Sequence, residues 1–241
     1  MGTVALRVFI YSVLPLIMAV GHLGLDRSSR SRERKLEIFL LYLLGVGVAG
    51  SGIGGFFGHL FLSDSVAESI GWPTGSPFQL EVGFANLAVG ILGIVAMGRR
   101  DGFREATVIA VTILGAGATF VHISDIIETG NLAPGNTVQN VGNLLKPAML
   151  IGLLAVSRRA ERSPASEAHG ASFETWRRPR VQAAALMTAS VAGGFSVGFA
   201  ADQPVIGTLV GTLLGAGLAT FLVAHSMHRP HTAASDRYSR K

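Results

Sequence analysis

Cysteine is absent from the 241 residues. That absence excludes thiolate metal sites, disulfides, iron–sulfur clusters and cysteine nucleophiles, so any bound metal would rest on histidine, carboxylate or carbonyl oxygen. Charge is scarce too: 15% of residues are charged against 49% hydrophobic, with a mean hydropathy of +0.47, the balance of a membrane chain. A net charge of +5 and a pI near 10.2 would fit nucleic acid only with a basic face and aromatics for stacking. Here the basic residues lie between apolar runs, so no nucleic-acid partner is expected and topology explains them. Walker, triad and HExxH signatures are missing. GSGIGG at 50–55 fits the letters of GxGxxG, but it sits inside an apolar run with no strand before it. A retinal protein is excluded because the seventh span holds no lysine; Lys146 is the only lysine within any span.

What the chain does have is long apolar runs. A bilayer crossing takes about 20 apolar helical residues, and runs fall near 4–25, 38–62, 80–98, 106–127, 139–157, 182–200 and 205–226. The expected fold is all-α, a polytopic transmembrane bundle of seven helices. Alternate connections are basic: Arg27, Arg30, Arg32, Arg34 and Lys35; Arg99, Arg100 and Arg104; Arg158, Arg159, Arg162, Arg177, Arg178 and Arg180. The connections near 63–79, 128–138 and 201–204 carry neither Lys nor Arg. The positive-inside rule therefore puts the N-terminus outside and the C-terminus in the cytoplasm, with Arg7 the one dissenting charge. The first run is read as a span, not a cleaved signal, since it is long and its positive flank follows it. Residues 1–157 form a five-helix core, 158–181 a cytoplasmic linker with Trp176 at headgroup level, 182–226 a two-helix hairpin and 227–241 a cytoplasmic tail. A bacterial plasma membrane is the expected location.

Membrane helices associate through close backbone approach, which small residues permit. Gly50, Gly54 and Gly58, and again Gly207, Gly211 and Gly215, repeat every four residues, giving two glycine-zipper seams that hold the fold or a homo-oligomer. Pro15 and Pro147 lie inside spans, where each frees a carbonyl that a neighbour, a water or a ligand must satisfy.

Several polar residues gather toward the arginine-poor ends of the spans. His59 lies about one turn before the end of span two, and His122 and Asp125 sit at similar depth on span four. Glu81, with Gln79 before it and Asn86 beyond, opens span three. On span five, Asn136, Asn140, Asn143 and Lys146 follow i, i+4, i+7, i+10 spacing, a polar stripe that must face protein or water. Lys146 is expected to pair with Glu81 or Asp125, and Asn131 reads as a turn residue beside Pro134 and Gly135. His22, His225, His228 and His231 read as solvated.

The strings GHLFLSD, IGWPTGSPFQLEVGFANLAVG, HISD and NLAPGN resemble an uncharacterised family of bacterial multi-spanning membrane proteins with a GHxF, GWPxGSPFQxE, His and GN core. The likeness covers roughly residues 40–157. It implies a helical bundle and brings no activity or catalytic residue.

Three functions compete. In the first, His59, Glu81, His122 and Asp125 hold a divalent transition metal under a lid made by GWPTGSPF, or His59 and His122 are axial ligands of a haem b. In the second, the Asn136–Lys146 stripe and Glu81 line the path of a small-solute transporter, although no inverted repeat is evident. In the third, the chain is an accessory or assembly subunit of a membrane complex, and the polar residues are internal glue. Whether it is an enzyme is left open by the sequence. The topology is directly testable: in this cysteine-free chain, an impermeant thiol reagent on intact cells should modify Ser65→Cys and spare Ser166→Cys. The opposite pattern would invert the orientation.

Overall fold

A computed structural model describes residues 2–25, 31–161 and 204–226, with Ser190 and Gly194 besides. The expected linker beyond 161, Trp176, the remainder of the expected span 182–200, the tail, and the side chain of His225 lie outside the described residues. The long helices are α1 (Gly2–Leu25) and α2 (Arg32–Phe61), α4 (Phe78–Met97), α5 (Gly102–Thr129), α7 (Gln139–Glu161) and α8 (Pro204–Ser226). Two short helices, α3 (Ser63–Ile70) and α6 (Pro134–Thr137), lie in the connections. Six helices among the described residues are long and apolar enough to cross a membrane. They correspond to the expected spans one to five and seven.

Helix ends follow local chemistry. Ser31 caps α2 by accepting the Arg34 N–H at 3.2 Å, and Asp101 caps α5 by accepting that of Phe103 at 3.1 Å. These caps start both helices before their apolar runs begin. The Arg99 guanidinium, hydrogen-bonded to Asp101, holds that carboxyl below its ordinary range. Gly71 closes α3 and Gly130 closes α5 at φ 80° and 72°, the left-handed region that glycine enters without a Cβ penalty.

α2 is the axis of the bundle. Its most apolar stretch is 83% buried, whereas those of α1, α4 and α5 are each 28% buried, leaving their outer faces for lipid. Glycine makes this enclosure possible. A Cβ at Gly52 would stand 2.5 Å from the Gly90 nitrogen, and one at Gly93 2.7 Å from that of Ala49, so α2 and α4 meet backbone to backbone. On another face, Gly45, Gly50 and Gly54 of α2 lie against Thr220, Ala216 and Thr212 of α8, an antiparallel register that steps by four on α8 and by five, then four, on α2. Gly211 of α8 lies against Ser190 and Gly194.

Both α1 and α2 contain a π-helical stretch, Phe9–Val13 and Leu43–Gly50, in which a wider turn shifts the carbonyl register. The prolines add to this. Pro15 offers no N–H to the carbonyls one turn back, Ile10 and Tyr11, nor Pro147 to that of Asn143. The Tyr11 oxygen lies 3.1 Å from where a Gly47 Cβ would be, and the Asn143 oxygen packs against Gly115. Each freed carbonyl therefore faces a glycine on a neighbouring helix, close enough for a weak Cα–H contact.

The end where the arginines collect holds an ion pair that the charge pattern alone did not single out. Glu37, 5% exposed, receives both Arg104 terminal nitrogens at 2.9 and 3.0 Å. Arg100 adds a contact at 3.3 Å, and the Arg104 Nε donates to the Ala96 carbonyl at 3.2 Å. This joins α2, α4 and α5. His22, expected to be solvated, is 6% exposed, and its Nδ1 lies 3.1 Å from the Tyr42 hydroxyl; an imidazole at this depth needs such a partner.

The α2–α4 contact yields a graded prediction. Gly52→Ala forces two backbones apart and should destabilise by about 1–3 kcal/mol, whereas Gly58→Ala, whose nearest neighbour is a flexible Val66 methyl 3.7 Å away, should be close to neutral. Thermal unfolding in detergent checks this; equal midpoints would show that the helices give way freely.

Candidate functional site

The polar residues form three groups. The first lies between α2 and α4, where His59 Nδ1 is 2.6 Å from Gln79 Oε1. An amide oxygen only accepts, so Nδ1 donates and the neutral ring keeps its lone pair on Nε2. Gln79, Gly83, Asn86, Gly90 and Gly93 fall at i, i+4, i+7, i+11, i+14, the face of α4 that meets α2. Asn86 lies over Gly55 and returns its amide to the Val82 carbonyl at 2.8 Å. Glu81, two residues after Gln79 and thus about 200° around the helix, is exposed on the far side. It does not face the histidines; Gln79 takes that position.

The second group closes the loop end. Asp125 Oδ2 accepts N–H bonds from Trp72 Nε1 at 2.9 Å, Asn131 Nδ2 at 2.7 Å and Asn136 Nδ2 at 2.9 Å. Its Oδ1 takes the Thr129 hydroxyl at 3.2 Å. Asn136, fully buried, accepts from His122 Nδ1 at 2.8 Å, and the Trp72 indole stacks on the His122 ring with centroids 5.4 Å apart. Asn131 also donates to the Ile70 carbonyl at 2.9 Å, so it ties two loops together besides serving the turn. The stretch from Gly71 is thus anchored at Trp72, and at Gly75 by its N–H to Asp64 at 3.1 Å.

The third group lies deeper. Lys146 Nζ donates to the Gly47 carbonyl at 3.0 Å and to Ser51 Oγ at 2.8 Å. The expected pairing with Asp125 or Glu81 is absent. Lys146 is ten residues beyond Asn136, about 15 Å along a helix, while Asp125 sits at the level of Asn136 and Glu81 points outward. The ammonium is instead held by a carbonyl of the π-helical stretch of α2. Above it, Asn140 donates to the Asn136 carbonyl at 3.0 Å and Asn143 accepts from Gln139 at 3.3 Å. α1 completes the lining. Tyr11 hydrogen-bonds to Thr212 and lies against Gly54, and Arg7, one turn nearer the loop end, is close enough to act electrostatically on Tyr11 and His59.

The expected four-residue metal set is not assembled. Among the described residues no three His, Asp or Glu side chains are grouped to hold a metal ion. Asp125 is already loaded with donors, Glu81 faces away, and each histidine serves its own amide. The same contacts give the haem pairing no support, since His59 and His122 belong to separate groups, one on Gln79 and the other on Asn136.

A helical bundle of this kind, with apolar outer faces and an enclosed polar interior, is a multi-pass membrane protein. Residues 6–163 match DUF6790, a family of unknown function, and the chain belongs to that family. The match takes in α1 and leaves α8 outside. No curated protein and no solved structure matches the chain.

Loss of Asp125 would orphan several donors at once, each worth about 1.5–3 kcal/mol when bonded to a charge. With two tryptophans in the chain, a Trp176→Phe background isolates Trp72. There, Asp125→Ala should lower the unfolding midpoint and raise acrylamide quenching of Trp72; unchanged quenching would show that the loop is held by other contacts.

Proposed function

We propose that this protein is a small-solute transporter of a bacterial plasma membrane, with the loop end outside and the arginine-rich end in the cytoplasm. The solute path is the polar column along α7 from Asn140 to Lys146, lined opposite by Arg7 and Tyr11 of α1 and the Gly47–Ser51–Gly54 face of α2.

The observation that carries this reading is Lys146, an ammonium deep within a span whose partners are a main-chain carbonyl and a hydroxyl. Keeping a charge at that depth costs several kcal/mol unless water or a solute reaches it. A structural role would be served as well by a neutral side chain. Two more atoms support a solvated column. Among the described residues the buried side-chain polar atoms lacking a hydrogen-bond partner are Arg7 Nε, Asn140 Oδ1 and Thr119 Oγ1; the first two belong to this column. Toward the arginine-rich end the column is closed by Leu43 and Leu150, both 0% exposed. A column polar to mid-span and then sealed is what one half of an alternating-access cycle requires.

Ser51→Cys, nearly isosteric, places a thiol beside Lys146. A neutral thiosulfonate should modify it in purified protein, while Leu150→Cys in the seal stays unmodified. If Ser51→Cys is as protected as Leu150→Cys, no solute reaches the column and the transporter reading fails.

A further inference from the structure

We infer that the solute is a small anion, a carboxylate or an inorganic anion, drawn past Arg7 and held at Lys146. This rests on the solvated column and adds its charge selectivity.

The charges decide it. Arg7 lies one turn nearer the loop end than Tyr11, whose carbonyl reaches Gly47 on α2, where Lys146 also binds. Every carboxylate whose side chain is described is engaged or turned elsewhere. Glu37 is held by Arg104 and Arg100, Glu105 by Arg158 at 2.7 Å, and Asp101 by Arg99 at 2.6 Å. Asp125 is filled by Trp72, Asn131, Asn136 and Thr129. Asp64 receives the Gly75 N–H, and Glu33, Glu68, Glu81 and Glu128 are exposed. The other polar groups along the column, Tyr11, Ser51, His59, Gln79, Gln139, Asn140, Asn143 and Thr212, carry no negative charge. Two cations therefore share a column with low-dielectric walls and no counter-charge from any described carboxylate, and a field of that sign concentrates anions and rejects cations.

Arg7 and Lys146 take different parts. The Arg7 Nε is buried without a partner, and a guanidinium suits a planar or multi-oxygen anion. Lys146 has three donor hydrogens, of which Gly47 and Ser51 take two, leaving one for a ligand. The ligand would find a point charge already fixed in place by the π-helical carbonyl.

Single-cysteine variants read the selectivity without knowing the natural solute. Ser51→Cys, with Ser12→Cys as a second position beside α7, is reacted with anionic, cationic and neutral thiosulfonates and compared with Ser76→Cys on the exposed loop. Relative to Ser76→Cys, the anionic reagent should be favoured over the cationic one by about tenfold or more. Arg7→Gln and Lys146→Gln should each reduce that preference, and millimolar nitrate or formate, at ionic strength fixed with gluconate, should protect the wild-type-background thiol. Equal rates for the two charged reagents, with the neutral one reacting, overturn the anion inference and leave the column standing. A preference unaltered by both substitutions overturns it as well, because its source would lie elsewhere. Failure of the neutral reagent at both positions defeats the column itself, and the anion with it.

Discussion

Everything in this bundle depends on α2 being approachable from several sides at once. A helix enclosed in lipid-facing neighbours can use no hydrophobic drive between helices, because lipid tails are as apolar as side chains. What remains is contact, and contact is set by how near two backbones can come. Gly52 and Gly90 bring α2 and α4 together, Gly45, Gly50 and Gly54 admit α8, and Gly47 admits α1 and the Lys146 stem. The same glycines leave no side chains to fill the face opposite α7, so polar groups from other helices occupy it. Packing and polarity thus have one origin.

The loop-end cluster and the α7 stripe show how differently polar residues can be employed. Around Asp125 both carboxylate oxygens are taken by donors, and the outcome is a clasp between the loops at one end. Along the Asn140–Lys146 stripe the pairing is incomplete, with Asn140 Oδ1 and Arg7 Nε unpartnered. Satisfied networks rigidify; unsatisfied ones ask for a ligand or solvent. The sequence drew attention to the histidines, yet the incompletely paired residues are those with chemistry to spare.

Much of the architecture was legible in the residues. Hydropathy located the spans described here, and the stripe on α7 was visible as a period. Four features escaped for physical reasons. Gln79 and Glu81 stand two residues apart in the motif, but only the i, i+4, i+7 series running through Gly83 and Asn86 tells which of them turns inward. Lys146 was matched to a carboxylate because charge suggests charge, whereas its partner is a carbonyl whose availability depends on a π-helical register that no composition reveals. Arg7 looked like an exception to the topology rule and stands instead in the polar interior. Trp72 read as an interfacial lid; its donor role required knowing that the Gly71 turn brings it over His122.

The Glu37–Arg104 clasp bears on the order in which the chain can be built. The two residues are separated by 67 positions, so the carboxylate is synthesised, together with α4 in between, well before its partner exists. A carboxylate cannot settle among apolar helices alone, but at the arginine-rich end it can wait in water. The clasp between α2 and α5 can therefore close only once α5 has been made.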